Sequence, residues 1–149
     1  MLRQEIDVDP VETITHRAQL MAIVIRAGAR KPGTHFFTPR SLGQQVAFSD
    51  WGAGTVVAPH RHQGVSGTAG TAVEILIVQS GLARVDLYSD DGDRVASRDL
   101  SGGDVIVLVS GGHGVEAVEA VEAVLVRQGP SEGIEKVDLG WPRPSRRNA

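Results

Sequence analysis

From residue 73 to residue 127 the chain reads as a succession of short strands broken by glycine, and this pattern constrains the fold more than any other feature. Residues 73–80 read as an apolar strand that stops at Gly81. Residues 82–88 then alternate, with Val85 and Leu87 on one side and Arg84, Asp86 and Tyr88 on the other. Such alternation marks a strand with one face on a core and one in water. Asp90, Asp91, Gly92 and Asp93 form a turn by composition, and residues 94–100, 104–109 and 121–127 supply further strands. Upstream, residues 44–49 and 54–62 read as two strands separated by a turn cluster at 50–54, and the apolar run 19–26 reads as a buried strand. Many short strands with turn residues and no strong helical periodicity predict an all-β, antiparallel sandwich or barrel.

The 149 residues suit one domain with a real core, and a net charge of -3 with both signs interspersed argues against a nucleic-acid surface. No apolar run approaches membrane-spanning length, and the charged N-terminus is unlike a signal peptide, so the expected setting is cytoplasmic. The chain contains no cysteine. Disulfides, thiolate metal sites and cysteine nucleophiles are therefore unavailable, and histidine and carboxylate remain as metal ligands. Residues 1–140 are read as one domain, and residues 141–149 as a proline-rich basic tail.

Five histidines occur, and two of them, His60 and His62, lie one residue apart on a predicted strand. Side chains at i and i+2 of a strand share a face, so both imidazoles can reach one metal ion. Glu74 opens the next apolar strand and can add a carboxylate, or it can pair with Arg61 or Arg84. His113, between Gly112 and Gly114, can be a further ligand or a turn residue. His35, beside Phe36 and Phe37, reads as a core or rim histidine, and His16 as exposed. The glycine-rich stretch 63–71 connects the two halves of the site and reads as a lid or a passive insertion. Residues 115–124 repeat Val-Glu-Ala, and a hairpin turning near Glu119 and Ala120 fits the neighbouring strands. Glu116, Glu119 and Glu122 then lie on a solvated edge, and Arg30 and Lys31 form a weak candidate for phosphate attraction.

These residues resemble the cupin family of small jelly-roll barrels. Gly54, His60 and His62 match its G-x5-H-x-H motif, and Glu74 with Gly81 matches E-x6-G after an enlarged gap. In the second motif Gly103 and Gly111 match, Val109 replaces the proline, His113 comes one position early, and Val118 stands where an asparagine is usual. The resemblance implies an antiparallel jelly-roll barrel holding one divalent transition metal ion (Fe, Mn, Ni, Co or Zn) through His60, His62, Glu74 and His113. Over about residues 20–136 the chain is similar to single-domain cupins associated with glycan and nucleotide-sugar biosynthesis. That likeness implies a homodimer and a small-molecule substrate, with isomerase or epimerase chemistry on a sugar-like compound as the first expectation. Iron-dependent oxygenation and a non-enzymatic, ligand-binding role are the alternatives.

Overall fold

The computed structural model describes residues 9–63, 73–129 and 135–138. The chain order is β1 (Val11–His16), β2 (Gln19–Ile25), a 3-10 turn (Ala27–Ala29), β3 (Gly33–Phe36), β4 (Gln44–Trp51), β5 (Val56–Gln63) and β6 (Glu74–Ser80). It continues with β7 (Leu82–Tyr88), β8 (Arg94–Ser101), β9 (Val105–Leu108), β10 (Gly112–Ala117), β11 (Val121–Gln128) and β12 (Glu135–Asp138). Two five-stranded antiparallel sheets face each other, in the orders β12-β5-β10-β7-β8 and β3-β4-β11-β6-β9. Among the described residues, strands β1 and β2 pair only with one another. The predicted jelly roll is thus the observed fold. The expected lid or insertion at 64–71 and the tail at 141–149 lie outside the described residues.

Alternation in the sequence becomes a core between the sheets. In β6, Glu74, Leu76 and Val78 face inward, as do Ala83 and Val85 in β7 and Val121, Ala123 and Leu125 in β11. Leu76 is 2% exposed, and Val78 and Val85 are fully buried. Such apolar side chains each contribute roughly 1.5–3 kcal/mol on burial. The outer face of β7 carries ion pairs instead: Arg84 with Asp99 at 2.8 Å and Asp86 with Arg94 at 2.9 Å.

Gly81 shows why the E-x6-G spacing matters. Its φ is +87°, and a Cβ there would lie 1.8 Å from the Ala120 carbonyl oxygen. Only glycine turns the chain out of β6 into the opposite sheet this close to the β10–β11 connection.

Three expectations are corrected. The run 19–26 is a strand but not a buried one. Among the described residues β2 forms a ribbon with β1 alone, and Met21 is 66% exposed. An apolar run secures burial only if another layer covers it, and here its one ladder partner is the polar strand β1. The segment 115–124 turns at Val118–Ala120 as expected, but β10 and β11 are not a hydrogen-bonded pair. β10 joins β5 and β7, while β11 joins β4 and β6 in the other sheet. Finally, Arg30 is engaged within the protein. It donates to the carbonyls of Ser49 (2.7 Å) and Ala123 (3.2 Å) and to Gln79, and lies 4.6 Å from the Phe48 ring centre. It clamps the outer face of one sheet instead of collecting phosphate. Glu116, Glu119 and Glu122 are exposed, as expected.

Candidate metal centre

His60 and His62 reach the interior because of an irregularity in β5. Val57 pairs with Val115 and His60 with His113, so Ala58 and Pro59 of β5 stand against Gly114 alone of β10. This β-bulge falls at Ala58 and Pro59, and it exchanges the inward parity of the strand: Val57 faces the cavity before it, His60 and His62 after it. Proline suits such a place because it offers no amide to a ladder. Gly114 makes room for it, since a Cβ there would stand 3.2 Å from Pro59 Cγ and 3.3 Å from its nitrogen. The second glycine flanking His113 therefore serves packing. His113 itself lies within β10, directly across from His60, so the turn reading does not hold.

Three imidazoles thus come from two adjacent strands of one sheet, and Glu74 comes from the first position of β6 in the facing sheet. The ligand atoms of His60, His62, Glu74 and His113 lie within 4.8 Å of one another. His62 Nε2 donates to Glu74 Oε2 at 2.9 Å, and His113 Nε2 is 3.7 Å from the same oxygen. The rings of His60 and His113 are 4.5 Å apart and those of His60 and His62 are 5.0 Å apart. All four side chains are buried, with the side chains of His62, Glu74 and His113 exposed by 7%, 11% and 6%.

The donor set fits a metal ion. His60 Nδ1 donates to the Ala58 carbonyl at 2.8 Å, which fixes the ring and presents Nε2 as a lone-pair donor. The bulge residue that turns the strand therefore also orients the imidazole. His62 and Glu74 hold one proton between two ligand atoms, where a cation would satisfy both. Burial works to raise the Glu74 carboxyl, but the hydrogen bond from His62 and the fields of His113, His62 and His60 outweigh it and hold the group below its ordinary value. A carboxylate that stays ionised among three imidazoles is a mixed nitrogen–oxygen site for a first-row divalent ion. The alternative partners for Glu74 do not meet it: Arg84 is bound to Asp99, and Arg61 is exposed on the other side of β5.

The cluster lines one side of a cavity of about 220 Å³. The remaining wall includes Leu76, Val85, Leu108 and Leu125, which exclude water, together with Phe36, Thr34, Trp51 and Arg127. The last four were not singled out as site residues in the sequence. Arg127 was detectable in principle, as a charge at the inward parity of β11 shared by Val121, Ala123 and Leu125. Tyr88 is not part of the wall, and its predicted outward direction agrees with this. His35 is half-buried with its ring on the Pro32 carbonyl at 2.7 Å, and His16 is exposed; neither joins the cluster.

No family model matches this chain, and no curated protein matches it. Solved structures do. A deletion variant of oxalate decarboxylase from Bacillus subtilis is 22% identical with a TM-score of 0.56, covering 74% of this chain and 29% of that one. A substitution variant of the same enzyme is 21% identical with a TM-score of 0.55, covering 72% and 29%. A cupin-2 domain containing protein from Shewanella frigidimarina is 15% identical with a TM-score of 0.49, covering 68% and 87%. The chain spans about 29% of the length of the decarboxylase structures it matches. At 21–22% identity the likeness to the decarboxylase structures establishes the fold alone, an antiparallel jelly roll. Its three histidines and one glutamate form a cluster suited to a divalent transition metal. Among the described residues, no helix is long and apolar enough to cross a membrane.

Proposed function

We propose that this chain is a metal-dependent enzyme acting on a small polar metabolite, with His60, His62, Glu74 and His113 as the ligands of one divalent ion. The observation that carries the reading is the cavity of about 220 Å³ walled directly by those four donors. A purely structural ion needs no adjoining space. Sites for drug-sized ligands run from roughly 300 to 1,000 Å³, so this cavity suits a small molecule.

A bound divalent ion supplies Lewis-acid polarisation of a substrate oxygen. The protein residues do the rest. Leu76, Val85, Leu108 and Leu125 keep the cavity dry and so strengthen its electrostatics. His60 is oriented through Ala58, and Glu74 keeps its negative charge beside the ion. Among the described residues, the wall contains no His, Asp, Glu, Tyr or Lys beyond the four ligands. Isomerisation or epimerisation of a sugar-like substrate would thus need a ligand residue, most simply His62 or Glu74, to move the proton. Chemistry that does not begin by removing a proton from carbon asks less of these side chains; decarboxylation, the activity in the name of the structural neighbours, and iron-dependent oxygenation are of that kind.

The non-enzymatic reading gives the cavity to a ligand that is bound and released unchanged. A homodimer is the expected assembly, and the exposed valines Val105, Val107 and Val109 offer apolar surface for it. Elemental analysis of purified protein, paired with turnover of a small-metabolite panel before and after chelation, tests the reading. About one equivalent of a transition metal per chain and turnover that stops on chelation are expected. Metal-free protein that turns over substrate at the full rate would overturn it.

A further inference from the structure

The polar groups of the cavity wall are accounted for with one exception. Trp51 Nε1 donates to Thr34 Oγ1 at 3.1 Å, and Thr34 Oγ1 lies 2.9 Å from Ser49 Oγ, so these groups satisfy one another. The four candidate ligands are satisfied by one another and by the cation they would hold. Arg127 is the exception. Among the described residues it is the one arginine or lysine of the wall, and its Nε is buried without a hydrogen-bond partner. A buried guanidinium N–H left unpaired costs more than a neutral group would, so its retention asks for an explanation.

Placement supplies that explanation. Arg127 pairs in register with Glu74 across β11 and β6, so both side chains leave the sheet on the same inner face. One face of the guanidinium is covered by Phe36, with Cζ 4.1 Å from the ring centre. That cation–π contact restrains the guanidinium at the cavity wall. With a divalent ion bound to three neutral imidazoles and one carboxylate, the centre carries a net positive charge. Arg127 adds another, a charge that the Glu74 carboxylate favours and the Arg40 charge opposes. The cavity is therefore cationic and small, with a planar fork at one wall and the metal ligands at another.

We propose that Arg127 is the anion anchor of this site, receiving the carboxylate of a small substrate whose second oxygen donor reaches the metal ligands. The proposal rests on the reading of the cavity as a substrate site and adds the substrate class. A planar carboxylate matches two parallel N–H donors of a guanidinium. It also distinguishes such acids from neutral sugars, which bring no negative charge to Arg127.

The test compares malonate with neutral malonamide, by calorimetric titration of the metal-free protein and of the protein loaded with Mn(II). Malonate should bind wild type at least about tenfold more tightly than malonamide in both forms, the scale of a charge-assisted hydrogen bond. Arg127→Gln should bring the two ligands to within about twofold in the metal-free protein, while Mn(II) uptake stays at the wild-type level. Arg127→Lys keeps charge and stem but loses the fork, and should fall between them; it also serves if the glutamine variant does not fold. Equal binding of malonate and malonamide to metal-free wild type would overturn the proposal. So would a preference for malonate that survives in metal-free Arg127→Gln. Failure of wild type to take up Mn(II) would instead count against the metal reading, and the metal-free titrations would still decide the role of Arg127.

Discussion

His113 stands directly opposite His60 across the β10–β5 ladder, and their rings are 4.5 Å apart. One backbone pairing therefore sets the distance between two candidate ligands, and the i+2 spacing to His62 sets the third. Replacing His60 or His62 by alanine should remove most bound metal, with the double variant retaining none. The fold should persist, because the core lies in Leu76, Val78, Val85, Val121 and Ala123, which these histidines do not build. Metal content by elemental analysis, alongside circular dichroism, checks both halves. Full occupancy in the double variant would reject the assignment.

Glu74 separates a metal ligand from a structural ion-pair partner. Glu74→Gln keeps the side-chain shape and still offers an oxygen to His62, but removes the charge that three imidazoles stabilise. Metal affinity should drop by about tenfold or more, in the range seen when charged groups around a metal are altered. Thermal unfolding of the metal-free variant should stay close to wild type. A strongly destabilised variant with unchanged metal binding would show that the carboxylate serves the fold.

Gly114 tests whether the β5 bulge aims the histidines. Alanine there would place a Cβ at 3.2–3.3 Å from Pro59, a contact relieved only if the bulge shifts by a few tenths of an ångström. Ligand geometry tolerates displacements of only about 0.5 Å. Gly114→Ala should thus weaken metal binding by roughly severalfold to tenfold, with a smaller effect on unfolding of the metal-free protein. The reverse pattern, lost stability with intact metal affinity, would detach the bulge from the site.

Gly81 is a position where the fold itself should fail. Gly81→Ala combines a positive φ with a Cβ 1.8 Å from a backbone oxygen that has no room to move within the β10–β11 connection. Destabilisation of about 2 kcal/mol or more is expected from strain and backbone displacement together. Denaturant unfolding measures it, and a wild-type midpoint would contradict the close approach.

Local pattern determined a good part of this protein. Alternation in 82–88, the apolar run 73–80 and the glycine punctuation specify strands, because side-chain parity and turn conformation are properties of a few neighbouring residues. The i+2 spacing of His60 and His62 likewise made a shared face legible, and the motif resemblance brought Glu74 and His113 to it. Tertiary structure decided what depends on which strands meet. That β2 would lie exposed, that β10 and β11 would enter opposite sheets, and that Arg30 would clamp backbone carbonyls follow from layers formed by distant segments. The bulge at Ala58 and Pro59 is visible only as two residues of β5 set against one of β10. Arg127 gives the clearest case. In sequence it is one of 15 basic residues, and only the pairing of β11 with β6 puts it beside Glu74, under the Phe36 ring and inside the cavity. Charge type is local information, whereas the environment that gives a charge its work is assembled from strands far apart in the chain.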